Sequence, residues 1–278
     1  NIMQEIAPNV FITTNSLGLI TGIIHPEEGL VFIDSPTRLD ELDSIGAKLT
    51  GNAKPSPRFL VVLDTNYDRL LSAKGMDFII IAHVNSITPT KPKSGAAKAS
   101  EDQTSLGDTS DSPNGSMRQF SPEIVFQTDL SIFLGTMEIR LEHHAGVNNA
   151  GVWVELPQQK LLFVGDTVMG DEPPFLAYFD ADTWLTDLEL LASERFRGYQ
   201  IISSRCGIVT QEQIDVMHQR LTYIRDTLNP LLENKASLDE MLKLIPQIID
   251  YYNVPPLLHD LYYNRLRWGL TTYYENHR

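Results

Sequence analysis

Short hydrophobic runs separated by polar turn residues set the pattern of the first part of the chain. Asn9–Thr13 (NVFIT), Leu19–Ile24 (LITGII) and Leu30–Asp34 (LVFID) are short runs rich in Val, Ile and Phe. Turn residues such as Pro26, Glu27, Glu28 and Gly29 divide them, the pattern of a β-meander. The pattern then changes. Leu39, Leu42, Ile45 and Leu49 recur every three or four residues, which predicts an amphipathic helix over Thr37–Leu49. Two fully apolar strands are expected at Phe59–Leu63 and Phe78–Ala82, with a short helix between them at Arg69–Lys74. Meander followed by βαβ units predicts a layered α/β domain.

From Thr88 to Met117 large apolar residues almost vanish and Ser, Thr, Lys, Asp, Gly and Pro dominate. This composition buries too little to offset ordering, so the segment about 88–117 reads as a mobile insertion. Strands resume at Ile124–Phe126, Leu130–Leu134, Glu138–Glu142, Val152–Leu156 and Leu161–Val164, followed by a helix over Trp184–Ala192 and a short strand at Gln200–Ser203. Thr210 with Gln213, and Ser237 with Glu240, have capping-box spacing and open two more helices, with Pro246 expected to kink or end the second. The tail is aromatic: Tyr251, Tyr252, Tyr262, Tyr263, Trp268, Tyr273 and Tyr274. Such a stripe suits docking onto the domain or onto a second copy of the chain.

Charge narrows the partners. In 278 residues, 36 acidic against 22 basic side chains give a formal charge of −14. A nucleic-acid or anionic-membrane surface needs a basic stripe, so neither partner is expected. Apolar runs are strand-length, far below the roughly 20 residues of a membrane span. No basic-then-apolar leader is legible, and Cys206 is a single cysteine, so the expected location is cytoplasmic.

Five segments, in order, resemble the metallo-β-lactamase fold superfamily from about Asn9 to about Leu228. LVFIDSP (Leu30–Pro36) is similar to an early strand ending in Asp. VVLDTNYDRLLSA (Val61–Ala73) stands where the family has T-H-x-H-x-D-H. IIIAHVNS (Ile79–Ser86) resembles the next strand, LPQQKLLFVGDTV (Leu156–Val168) the L-P-x-x-x-x-L-F-x-G-D segment, and IISSRCGIVT (Ile201–Thr210) a G-H-G turn. The resemblance implies a four-layer αββα sandwich over residues 1–228, with residues 229–278 as a C-terminal helical extension. It also implies hydrolysis by hydroxide on two zinc ions held by histidines and carboxylates.

Position by position, that ligand set is degenerate here. The two spaced histidines become Asp64 and Asn66, the motif's acid persists as Asp68, and its last histidine becomes Arg69. The third-motif histidine falls on Val147, the bridging acid persists as Asp166, and the turn histidine becomes Cys206. Asn66 is a poor ligand and Val147 none, while Arg69 stays cationic and repels a metal. No zinc is therefore expected, and Arg69 is expected within ion-pair reach of Asp166 or Asp64. The leading reading is an inactive member that binds a small molecule or a protein, with the aromatic helices also able to support a homo-oligomer. Two readings stand beside it. One is a metal-dependent hydrolase rebuilt on Asp64, His144, Asp166 and Cys206, with His143 and His144 as displaced ligands. The other is a metal-free enzyme with Cys206 as nucleophile and His143 or His144 as base. His83 reads as a buried, hydrogen-bonded residue, and His25, His218, His259 and His277 as structural or surface residues.

Overall fold

The computed structural model describes residues 3–15, 18–34, 39–51, 53, 55–65, 77–87 and 122–278. The mobile insertion expected at 88–117, the short helix expected at 69–74, and Asn66, Asp68 and Arg69 all lie outside the described residues.

Two sheets stack face to face. The first has the order β1-β2-β3-β4-β5-β6-β7. Its meander comprises β1 (Met3–Ala7), β2 (Val10–Thr14), β3 (Ile20–Ile24) and β4 (Leu30–Ile33), and is antiparallel. Then β5 (Arg58–Val61), β6 (Ile79–His83) and β7 (Ile124–Phe126) add parallel to β4. The second sheet runs β13-β12-β11-β10-β9-β8, from β8 (Asp129–Leu134), β9 (Met137–His143), β10 (Val152–Leu156), β11 (Leu161–Phe163), β12 (Gln200–Ser203) and β13 (Gly207–Val209). Its pairs are antiparallel except β11 with β12.

Three apolar clusters define four layers. Val10, Ile24, Val31, Val61 and Ile81 meet Ile139, Leu141, Val154, Leu161 and Phe163 between the sheets. Phe32, Leu60, Phe78 and Ile80 cover the other face of the first sheet together with Ile45 of helix α1 (Leu39–Thr50). The outer face of the second sheet is covered by α2 (Ala181–Leu191), α3 (Gln211–Glu233), α4 (Leu238–Leu242), α5 (Ile245–Tyr251) and α6 (His259–Asn276). The expected αββα sandwich with C-terminal helices is the architecture found. Central strands such as β4, β10 and β11 are buried on both sides, which is why they read as unbroken apolar runs rather than alternations.

The helical tail is not a separate body. Met241, Ile245, Ile248, Tyr252, Tyr262, Leu266, Leu270 and Tyr273 share one core with Trp184, Leu188, Leu221 and Ile224. Both capping boxes form, Thr210 with Gln213 and Ser237 with Glu240. Pro246 neither kinks nor ends a helix: α4 stops at Leu242, and Pro246 sits in the first turn of α5. There its absent N–H costs nothing, because that donor has no intrahelical partner in any case.

At Gly22 the two sheets pack closely. A Cβ there would lie 2.6 Å from Phe163 Cε1 and 3.1 Å from Ile33 Cβ. Gly22→Ala is expected to lower unfolding free energy by about 1–3 kcal/mol through overpacking. Urea unfolding checks this, and a variant as stable as the parent would show that the sheets can separate at no cost.

Candidate functional site

The carboxyl ends of β4, β5, β11 and β12 come together at one edge of the sandwich. Three acids follow the first three of these strands, namely Asp34, Asp64 and Asp166, and all are buried, at 2, 3 and 1 % exposure. Asp34 takes a left-handed conformation, φ 60°, which Asp tolerates better than most residues. Its backbone N–H donates to the Val61 carbonyl (2.8 Å), and its carboxylate accepts from the Leu63 N–H (3.0 Å) and the Ser204 hydroxyl (3.0 Å). It therefore fastens the end of β4 to β5 and to the opposite sheet. The sheets are joined again where the Ile20 N–H donates to the Ser204 carbonyl (2.9 Å) and the Val152 N–H to the Leu63 carbonyl (2.8 Å).

Gly165 turns the chain out of β11 with φ +59°, a conformation that favours glycine. A Cβ on it would lie 3.9 Å from Asp64 Oδ2, which places Asp64 beside the turn carrying Asp166. Across from that turn, the β12–β13 connection delivers Arg205. Its Nε donates to Asp166 Oδ1 at 2.9 Å and its Nη2 to Oδ2 at 3.1 Å, a two-point fork. Both side chains are buried, Asp166 at 0 % and Arg205 at 6 % exposure.

Arg69 was expected as a cation for Asp166 or Asp64, and Arg205 was not named. The guanidinium seen on Asp166 belongs to Arg205, whereas Arg69 lies outside the described residues. The signal was in the sequence: Arg205 directly precedes Cys206, on the turn that aligns with the G-H-G motif. Asp34 and Ser204 were likewise missed as parts of this site.

The remaining candidates have other engagements. Val147 is a core residue packed with Trp184. Cys206 Sγ faces the Val168 carbonyl oxygen at 3.8 Å. Burial pushes its thiol pKa up, and the nearby carboxylates of Asp166, Asp171 and Glu172 add to this, outweighing the hydroxyl of Ser203. A thiol so placed is a poor nucleophile. His143 stacks on His83, ring centroids 3.6 Å apart, and its Nε2 meets the Asn149 carbonyl oxygen at 3.0 Å. His83 is buried as expected: its Nδ1 accepts from the Asn85 N–H, leaving Nε2 to donate to the Gln127 carbonyl at 2.7 Å. Burial holds its pKa below the ordinary value.

His144 is held by acids. Its Nδ1 is 2.8 Å from Asp187 Oδ1, its Nε2 is 3.3 Å from Glu142 Oε1, and its ring stacks on Trp153 at 3.6 Å. Burial alone would lower its pKa, but the carboxylates of Asp187 and Glu142 outweigh that and the imidazole titrates above its usual value. His144 and then Arg195 in turn hold Glu142 well below the usual carboxylate range. Among the described residues, no three His, Cys, Asp or Glu side chains gather as a metal site, and these include Asp64, His144, Asp166 and Cys206.

No family model matches the sequence, and no curated protein matches it. Solved structures do. A metallo-β-lactamase from Pontibacter korlensis is 18 % identical, with a TM-score of 0.55 over 80 % of this chain and 98 % of its own. DIM-1 metallo-β-lactamase is 13 % identical, TM-score 0.58, over 80 % and 97 %. The inverting sec-alkylsulfatase Pisa1 from Pseudomonas sp. is 13 % identical, TM-score 0.66, over 97 % of this chain and 49 % of its own. The chain thus spans about half the length of the alkylsulfatase. With two facing sheets, helices on both outer faces and these structural relatives, the chain has the metallo-β-lactamase fold.

Proposed function

We propose that this protein uses the metallo-β-lactamase fold without a binuclear zinc centre, and acts by binding a small molecule or a protein rather than by hydrolysis. The observation that carries this reading is the Arg205 fork on Asp166. Asp166 aligns with the acid that bridges the two metals in the family, and here both of its oxygens accept from a guanidinium. The donor set does not fit a zinc pair. Asn66, Arg69, Val147 and Cys206 stand at histidine positions, and a permanent cation beside the bridging acid repels a dication. The rebuilt hydrolase on Asp64, His144, Asp166 and Cys206 would require His144 to leave Asp187 and Glu142. The Cys206 nucleophile is opposed by its raised pKa.

The charge of −14 supports a partner other than nucleic acid. No described helix is long and apolar enough to cross a membrane, and a lone, half-buried thiol accords with a reducing, cytoplasmic setting. Tyr252, Tyr262 and Tyr273 are spent on the chain's own core, so self-association would fall to the outward rings of Tyr251 and Tyr263.

Elemental analysis of protein purified without added zinc tests the reading. It should give well below one zinc per chain, and a chelator should leave the melting temperature unchanged. A tightly bound metal stabilises the folded state by mass action. Stoichiometric zinc, together with a drop of many degrees on chelation, would return the chain to the metal-dependent hydrolases.

A further inference from the structure

We propose that Arg205 is a resident cation of the strand-end site, a covalently tethered guanidinium clamped in place by the C-terminal helix through Phe175 and Arg265. The proposal deepens the reading above and rests on it for the absence of a competing zinc pair. It starts from a physical problem. Asp34, Asp64 and Asp166 end three strands, and each is almost wholly buried. Ionised carboxylates this dry need compensating charge or hydrogen bonds, or they take up protons. Arg205 supplies a cation with the planar geometry that Asp166 can accept at both oxygens.

The far side of Arg205 is also built. Its Cζ lies 5.1 Å from the centroid of the Phe175 ring, and Arg265 of α6 lies over the same ring at 4.4 Å. Arg265 is fixed in turn by Glu172, 2.9 Å from its Nη1, and by the Tyr262 ring at 4.9 Å. Charges therefore alternate with aromatic faces from Asp166 through Arg205, Phe175 and Arg265 to Glu172. Each guanidinium gains a ring quadrupole as well as a carboxylate. Arg265 reaches Glu172 across 93 residues of sequence, so α6 is a wall of this arrangement. In this scheme Arg265 is a positioning residue, acting on Arg205 only through Phe175. Unlike a dissociable metal, the tethered cation cannot be chelated, diluted away or exchanged.

The test is chemical complementation followed by thermal melting. Arg205→Ala should lower the melting temperature by roughly 10 °C, the scale expected when one partner of a buried ion pair is removed. Millimolar methylguanidinium should restore part of the loss, whereas methylurea, neutral and nearly isosteric, should not. Neither additive should stabilise the parent. The double variant Arg205→Met with Asp166→Leu carries no unpaired charge at this pair, and should melt well above Arg205→Ala and above Arg205→Met alone. It also decides the matter if Arg205→Ala does not fold. Arg265→Leu should lower the melting point by a few degrees and weaken the methylguanidinium response when combined with Arg205→Ala. An Arg205→Ala protein that melts like the parent, equal rescue by methylurea, or a double variant no better than Arg205→Met would overturn the proposal. Zinc in the parent protein, with the guanidinium-specific rescue intact, would overturn the zinc-free reading while leaving the role of Arg205 standing.

Discussion

Trp184→Ala should remove about 4 kcal/mol of unfolding free energy, in the upper range for a buried aromatic. Trp184 is 0 % exposed in the core beneath α2, and its Nε1 donates to the Thr167 carbonyl at 2.9 Å. Truncation leaves a cavity and also strips that carbonyl of its donor, two separate costs. The site is tight as well as apolar: a Cβ on Gly146 would come within 2.5 Å of the Trp184 Cα, so the neighbouring loop cannot slide in to fill the space. Trp153 Nε1 donates to the Thr167 hydroxyl from the other side (2.9 Å), so two indoles hold the residue next to Asp166. Urea unfolding should show a lower midpoint with an unchanged slope. Trp184→Phe, which keeps most of the packing and loses the hydrogen bond, should lie between. A Trp184→Ala protein within about 1 kcal/mol of the parent would mean that the core collapses around the gap.

His144→Gln should cost about 2–3 kcal/mol near pH 6, because it removes a charged partner from Asp187 and one of those that hold Glu142. The loss should depend on pH. The imidazole pKa is raised in the folded state, so its stabilisation is complete below the unfolded value of about 6.5. It disappears as pH climbs through the higher folded value. Glu142 behaves oppositely: its pKa is lowered, so its contribution is present above the ordinary carboxylate range and is lost as pH falls through the folded value. Between these limits the Asp187–His144–Glu142 array is at full strength. Stability of the parent should fall from pH 6.5 into the alkaline range, and His144→Gln should flatten that fall, so that the two curves converge at high pH. Parallel curves from pH 6 to 9 would show that the His144 pKa does not differ between the folded and unfolded states. Arg195, which donates to Glu142 at 3.0 Å, should sustain part of Glu142's shift in the variant.

Much of the sandwich was legible because its signals are local. Ile124–Phe126, Val152–Leu156 and Gln200–Ser203 begin and end where their patterns do, and both capping boxes form from residues three apart. The site was legible only in part, because its partners are distant in sequence. Asp166 and Asp64 announce themselves as acids after apolar strands, but what faces them is set by tertiary approach. Arg69, at the last position of the motif that follows β5, and Arg205, beside the turn cysteine, are both plausible partners for Asp166 on paper; the Arg205 fork is found, and Arg69 lies outside the described residues. His144 looked available as a ligand or base because Asp187, its acceptor, is 43 residues away on α2. Pro246 was misread because a proline closes one helix or opens the next according to where the preceding helix stops, and α4 is only five residues long.

Asp34 has a consequence for the order of assembly. Among the described residues, the strands of the first sheet come from residues 3 to 126 and those of the second from residues 129 to 209, so each sheet can pair its own strands without waiting for the other. The bond from the Ser204 hydroxyl to Asp34 spans 170 residues. It closes only once both sheets exist and their inner apolar faces have met, and the entropy of so long a loop must be met before the contact returns anything. The link between Asp34 and Ser204 is therefore a late-forming feature of the fold, while each half emerging alone from the ribosome carries a wet apolar face that only the other half can cover.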